Sequence, residues 1–307
     1  MPINPYNLTP TTLKGQLPEA VGDVVFVSSA TGNVSGDGSS LRPFSTIEAA
    51  FNKSGLSAGD VIVVLPGHTE TISAAAGIVA DVAGVTVIGM GNGSNRPTIT
   101  LDTATTADID IDAANITIKN LRFVSNIDSL AVVLDVNAGN FVCEDCEFVS
   151  SSTKEIVNFV NLATTIDGFT FRRCKFIQPT DPAGTDGAAA TGCFYLVDSE
   201  DLFIEDCYFY GNFESAIVHN KTTAAKNVWL RNCYGTQLLS GAEVFIQVAA
   251  MEGGAQNCFF IIPGADDVTE AKTWGTMSDK FFIDVNSSIG NDGAGGQLGV
   301  AGATAAS

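Results

Sequence analysis

ITIKNLRF (Ile116 to Phe123) is followed along the chain by FVCEDCEF (Phe141 to Phe148), FTFRRCKF (Phe169 to Phe176), LFIEDCYF (Leu202 to Phe209) and VWLRNCYG (Val228 to Gly235). Positions 1, 3, 6 and 8 of this eight-residue unit are apolar or Cys in most copies; position 2 is mixed, and 4, 5 and 7 are mainly polar or charged. Side chains alternate faces along a strand, so two outward residues in succession mark a bend between two short strands. The bend position carries Asn120, Asp145, Arg173, Asp206 and Asn232. Asn and Asp tolerate the left-handed backbone that such a corner requires.

The sixth position reads Leu121, Cys146, Cys174, Cys207 and Cys233, extended upstream to Met90 and downstream to Cys258, at intervals of 31, 25, 28, 33, 26 and 25 residues. A minimum near 25 with variable insertions matches one turn of a parallel β-helix, in which each coil contacts only its neighbours. A second strand follows each unit, at 131–136, 155–160, 193–198, 215–220 and 243–248, with the length and β-branched content of another side of the coil.

The outward columns alternate in charge. Position 4 reads Lys119, Glu144, Arg172, Glu205 and Arg231, and position 7 begins Arg122, Glu147 and Lys175. Stacked coils place equivalent side chains roughly 4.8 Å apart, so these columns attract in register and repel after a one-coil slip.

Upstream, residues 24–67 carry two strands around an amphipathic helix. Ser45 or Thr46 supplies its N-cap, Ile47, Ala50 and Phe51 its apolar face, and Gly55 stands near its end. A helix laid over the first coil would cover the open end of the solenoid. The fold class expected is all-β: a right-handed parallel β-helix with a short N-terminal capping helix. Its parts are an N-terminal arm at 1–23, one β-helix domain at 24–286 and a Gly/Ala-rich C-terminal arm at 287–307. Within the domain, 24–67 form the capping segment, about 68–262 the coils and 263–286 the exit segment.

Of 307 residues 45% are hydrophobic, enough to fill a long core, and the formal net charge of −19 excludes the basic face that nucleic acid requires. No apolar run approaches a membrane span, and MPINPYNLTPTTLKG lacks the basic and apolar regions of a signal peptide, so synthesis in a cytoplasm is expected. Five of the seven cysteines share one inward column and Cys143 also points inward. They read as packing thiols, and Cys143-x-x-Cys146 has no second pair or nearby His to complete a zinc set.

Several clusters invite a chemical reading. Asp108-Ile109-Asp110-Ile111-Asp112 puts three carboxylates on one outward face, with Asp102 and Asp135 placed to join them around a hard cation. Successive same-face residues lie roughly 6.6 Å apart, however, too far for one ion to bind all three directly, and alternation is what a half-buried strand looks like. The loop from Gln178 to Gly192 offers Asp181 and Asp186 for a glycan or subunit contact, or is a tolerated insertion. His68 and His219 have no nucleophile or metal-ligand spacing, and GMGNGSNRP (Gly89 to Pro97) lacks the Lys-Ser/Thr ending of a phosphate loop and reads as a turn. No catalytic, cofactor-binding or metal-binding residue is assigned, and no cofactor is expected.

Gly36-Asp37-Gly38, then Arg42-Pro43-Phe44-Ser45-Thr46-Ile47, then Ala58-Gly59-Asp60-Val61-Ile62-Val63-Val64-Leu65-Pro66-Gly67, resembles the start of proteins of the pectin-lyase-like parallel β-helix superfamily. With the coils, the resemblance covers roughly Val24 to Phe260. It specifies fold and leaves function open, because the superfamily holds lyases, hydrolases, adhesins and phage proteins alike. Within it the chain most resembles bacteriophage virion proteins. That implies a non-enzymatic trimeric capsid decoration protein, made in a host cytoplasm and located in the virion, whose arms contact its own copies and the major capsid or other virion proteins. The alternative is a tailspike that binds or cleaves a host glycan, with Tyr208, Tyr210 and Tyr234 beside Glu205 and Asp206 lining the groove.

Overall fold

The computed structural model describes residues 22–150, 153–163, 166–179, 190–220, 225–237, 243–247, 251–261, 281–284 and 286–290. Among them the chain winds through three all-parallel sheets of ten, nine and seven strands, each coil adding one strand per sheet in most of the stack. This is a parallel β-helix. The repeating unit spans two of its sides: Phe141–Glu144 lies in the first sheet and Glu147–Val149 in the second, with the corner between them.

Each predicted corner residue adopts the left-handed conformation, from Asn232 at φ 52° to Asp145 at φ 56°, and Asn257 continues the column at 53°. A second left-handed column stands just before the unit, at Asn115, Asn140, Gly168, Asp201 and Asn227. It turns the chain from the third sheet into the first. Gly168 has φ 85°, and a Cβ there would meet Asn140 Oδ1 at 2.6 Å, so this coil needs glycine where its neighbours use Asn or Asp.

The third sheet begins at Ile78–Ala80 and Ile109–Ile111 and widens to seven-residue strands at Leu130–Val136, Ile156–Leu162 and Ala190–Leu196. Ala190, Thr191 and Gly192, expected in a loop, therefore belong to a strand; residues 180–189, with Asp181 and Asp186, lie outside the described residues. Phe281–Ile283 and Ser288–Gly290 extend the first and second sheets. The coils thus run past residue 262, and part of the expected C-terminal arm is strand. Residues 1–21 and 291–307 lie outside the described residues.

The core follows the register. Ile118, Cys143, Phe171, Ile204 and Leu230 stack in one inward column. Phe123, Phe148, Phe176 and Phe209 stack in another, with successive ring centroids 4.9, 4.8 and 5.2 Å apart. Phe159 and Phe194 meet the Phe176 ring edge-on. Such stacks add about 0.5–1.5 kcal/mol per pair to the burial itself. Met90 departs from expectation. Instead of joining the inward column it packs with Val24, Phe26, Val61 and Val63 in a second cluster, which the alternation with Ile62 and Val64 places on the outer side of the first sheet.

The helix Ile47–Phe51 is capped by Thr46, whose Oγ1 accepts from Ala49 N, and it buries Ile47, Ala50 and Phe51. It sits on the starting strands of the first and third sheets. Glu48 Oε2 accepts from Val79 N at 2.7 Å, Ser29 Oγ from Thr69 N at 3.0 Å, and the inward-facing Glu70 from Ile47 N at 2.9 Å.

Candidate functional site

The alternating charges expected on the outside form continuous ladders. Glu144, with only 13% of its side chain exposed, receives Lys119 at 3.3 Å, Arg172 at 3.0 Å and Arg173 at 3.7 Å. Arg172 also reaches Glu205 at 2.9 Å, and Glu205 reaches Arg231 at 3.5 Å. Across the corner, Glu147 gathers Arg122 at 2.8 Å, Lys175 at 3.3 Å and Arg96 at 3.4 Å. Burial opposes ionisation of Glu147, but the hydrogen bonds and charges of Arg122, Arg96 and Lys175 outweigh it and hold the carboxyl below its ordinary range. The corner column is tied as well: Arg173 forks onto Asp145 at 2.8 and 2.9 Å, and Asn257, Asn232 and Asp206 form a chain of side-chain hydrogen bonds at 2.8 and 3.1 Å. The Arg173 hydrogen bonds hold the Asp145 carboxyl low. Arg96, absent from the repeat, enters from the turn Gly89 to Pro97 and donates to Asp145 O.

The acidic cluster lies on the outer face of the third sheet. Asp110 is the register partner of Asp135 in the next coil, and Asp135 of Asn161 beyond it. Asp135 Oδ1 accepts from Asn161 Nδ2 at 2.8 Å, Asp112 Oδ1 from Asn137 Nδ2 at 3.1 Å, and Asp108 Oδ1 from Ala76 N. Burial, then the charges of Asp108, Asp112 and Asp135, push Asp110 up to about 6. Burial also raises Asp108. Asp102 binds Asn126 and Thr103 instead of joining the others. Among the described residues no three of His, Cys, Asp and Glu converge into a metal-binding group.

Of the residues expected to line a glycan groove, Tyr208 and Tyr234 are register partners with rings 5.1 Å apart, and Tyr210 shares their face of the second sheet. Glu205 lies on the first sheet in its ion pairs, and Asp206 is bonded at the corner. Phe259, the register partner of Tyr234, is 49% exposed and extends this face; on the first sheet Phe282 is 56% exposed and the Arg231 guanidinium lies over the rings of Phe203 and Trp229. Their signal was available at the mixed second position, which changes from Thr117, Val142 and Thr170 to Phe203 and Trp229.

His68 is buried, with Nε2 3.2 Å from Glu70 Oε2, and so belongs to the support of the capping helix. The His219 ring meets Tyr195 at 5.4 Å. All seven cysteines are free and buried. Cys146 Sγ bonds Glu144 O, while Cys143 and Cys174 Sγ approach to 3.8 Å. Burial pushes the thiols of Cys143, Cys193 and Cys207 up. The turn Gly89 to Pro97 contains a three-residue 3-10 helix at Gly93–Asn95 and leads into the strand Thr98–Leu101.

No known family matches the sequence, and no curated protein matches it. Among solved structures, the chain is similar to a rhamnogalacturonan lyase at a TM-score of 0.49 and 12% identity over 88% of each chain.

Proposed function

We propose that this chain is a non-enzymatic structural protein, a trimeric decoration protein of a bacteriophage capsid, acting as a stiff body held to its own copies and to other virion proteins. The observation that supports a mechanical role is the commitment of the outer charges of the middle coils. Glu144, Glu147 and Glu205 each bind two or three cations, most of them from an adjoining coil. A catalytic carboxylate needs to be free to exchange protons with a substrate; these serve as cross-ties between coils. The phage context and the trimer rest on the resemblance of the sequence to virion β-helix proteins. The reading is tested by native mass from light scattering on the full chain and on a variant lacking residues 1–20 and 287–307. A species of three times 31.9 kDa that dissociates on truncation is expected; a monomeric full chain would overturn the trimer.

The aromatic region supports a second reading, a tailspike-type protein that binds a host glycan. Tyr208 and Tyr234 offer ring faces for stacking sugars. Retention of the protein on immobilised host surface polysaccharide, lost in Tyr208→Ala with Tyr234→Ala, would favour it.

A further inference from the structure

The second sheet presents an outer face with few charges and a run of apolar side chains. Its nine strands run from Thr69–Ile72 to Ser288–Gly290. Alternation sends Phe123, Phe148, Phe176 and Phe209 inward and their neighbours outward. Among the described outward side chains of its strands only Arg122, Glu147 and Lys175 are charged, a formal sum of +1 to which Arg96 adds from the adjoining turn, in a chain of −19. These three are already joined to one another through Glu147. The remainder are threonines in the first two coils, then Val124, Val149, Ile177 and Tyr210 in one column. Beside that column the charged ladder gives way to Tyr208, Tyr234 and Phe259.

The middle of this face and its C-terminal end differ in exposure. Val124, Val149 and Ile177 are half-buried by their stacked neighbours, whereas Tyr234 is 55%, Phe259 49% and Ile261 36% exposed. Clustered apolar side chains left in water mark a surface that another molecule covers. The charge distribution indicates which molecule. Two copies of a chain carrying −19 repel, and close contact costs least where neither presents net negative charge. The third sheet presents Asp108, Asp110, Asp112 and Asp135, so it is a poor meeting place for copies. The second sheet combines near-neutrality, apolar side chains and a continuous nine-stranded face.

We infer that the outer face of the second sheet is the surface through which copies of this chain pack against one another, with Ile177, Tyr210, Tyr234 and Phe259 at its centre. The inference rests on the assembly reading above and adds to it the face that is buried. Burial of these side chains supplies the attraction; Arg122, Lys175 and Arg96 are each paired with Glu147 within one copy, which leaves the face weakly positive rather than negative.

The test uses the full chain. Because the native cysteines are all buried, Tyr234→Cys and, as a control on an exposed loop, Leu41→Cys each introduce one accessible thiol. Leu41 is 90% exposed. In the assembled protein the thiol at position 234 should react with a maleimide at least ten times more slowly than that at 41, and the two rates should converge on dilution to monomer. In parallel, Ile177→Glu with Phe259→Glu, both outward and compatible with the fold by circular dichroism, should reduce the native mass to 31.9 kDa. If the parent is oligomeric, the thiol at 234 reacts freely and the glutamate variant keeps its mass, this face is wrong while the assembly reading stands. A monomeric parent overturns both.

Discussion

Replacing Glu144 tests the principle that holds the coils in register. Its carboxylate is 13% exposed and lies 3.0–3.7 Å from three cations, two of them in the following coil and one in the preceding coil. Glu144→Gln keeps the shape and one acceptor but leaves Lys119, Arg172 and Arg173 around a neutral amide. A charge-assisted hydrogen bond contributes about 1.5–3 kcal/mol net, and stripping one partner from a largely buried pair costs about 3–5. Exposure of the arginines brings the expectation for Glu144→Gln to about 2–3 kcal/mol, and at about 2–4 °C per kcal/mol for a large domain the melting temperature falls by about 4–12 °C. Glu144→Lys should cost more, because it adds three like-charge contacts. No second single change rescues it: Arg172→Glu would repair one step of the column and break the next against Glu205. Inverting positions 119, 144, 172, 205 and 231 together restores alternation at every step and should recover at least half of the loss. Thermal unfolding by far-UV circular dichroism reads the total. Hydrogen exchange should place the loss in strands Thr117–Lys119, Phe141–Glu144 and Asp167–Arg172. Glu144→Gln within about 0.5 kcal/mol of the parent, the usual range for an inert surface substitution, would refute the reasoning. So would an inverted column no more stable than Glu144→Lys.

Three further outcomes are expected. Phe176→Ala removes the ring between Phe148 and Phe209 and should cost about 3–5 kcal/mol, with Phe176→Leu costing less, by the same melting assay. Asn232→Gly should be nearly neutral in backbone terms, whereas Asn232→Val forces a β-branched residue to φ 52° and also breaks the bonds to Asp206 and Asn257; a loss of about 2–3 kcal/mol is expected, and equal stability of the two variants would count against the corner. Asp110 has a folded value of about 6 against an ordinary 3.8, so its protonation favours the folded state and that benefit is lost as pH rises through 6. Asp110→Asn should therefore raise the melting temperature at pH 7 and have little effect at pH 3.5. The gain should be about 1 kcal/mol after allowing for solvent screening; no difference between the two pH values would remove the cluster's electrostatic strain.

The coil period, the corner and the charge ladders were legible in the sequence because each is a near-local rule repeated at a near-regular interval: alternation sets the faces, and stacking turns sequence intervals into contacts. Met90 was misplaced for the same reason. Its position in the repeat matches Leu121, but the first coils carry apolar residues on both faces of the first sheet, and alternation cannot say which face a Met at the boundary will choose. The second left-handed column was written just before each unit as Asn, Asn, Gly, Asp, Asn, outside the window that the apolar pattern defined. Arg96 was illegible: it reaches Glu147 from a turn two coils earlier in the stack, a contact no repeat encodes. The same holds for Asp102, which lies near the acidic strand in sequence but turns to Asn126.

Glu48 and Ser29, which meet the amides of Val79 and Thr69, have a consequence for growth. A stack of parallel strands ends in rows of backbone groups able to accept another strand from any chain. Here the first rows of the second and third sheets are met by side chains of the same chain, while the helix lies across the first and third. Fibre-like extension from this end would require displacing those acceptors and lifting the helix, and Glu48→Ala is the change that would leave the Val79 amide open to a stranger's strand.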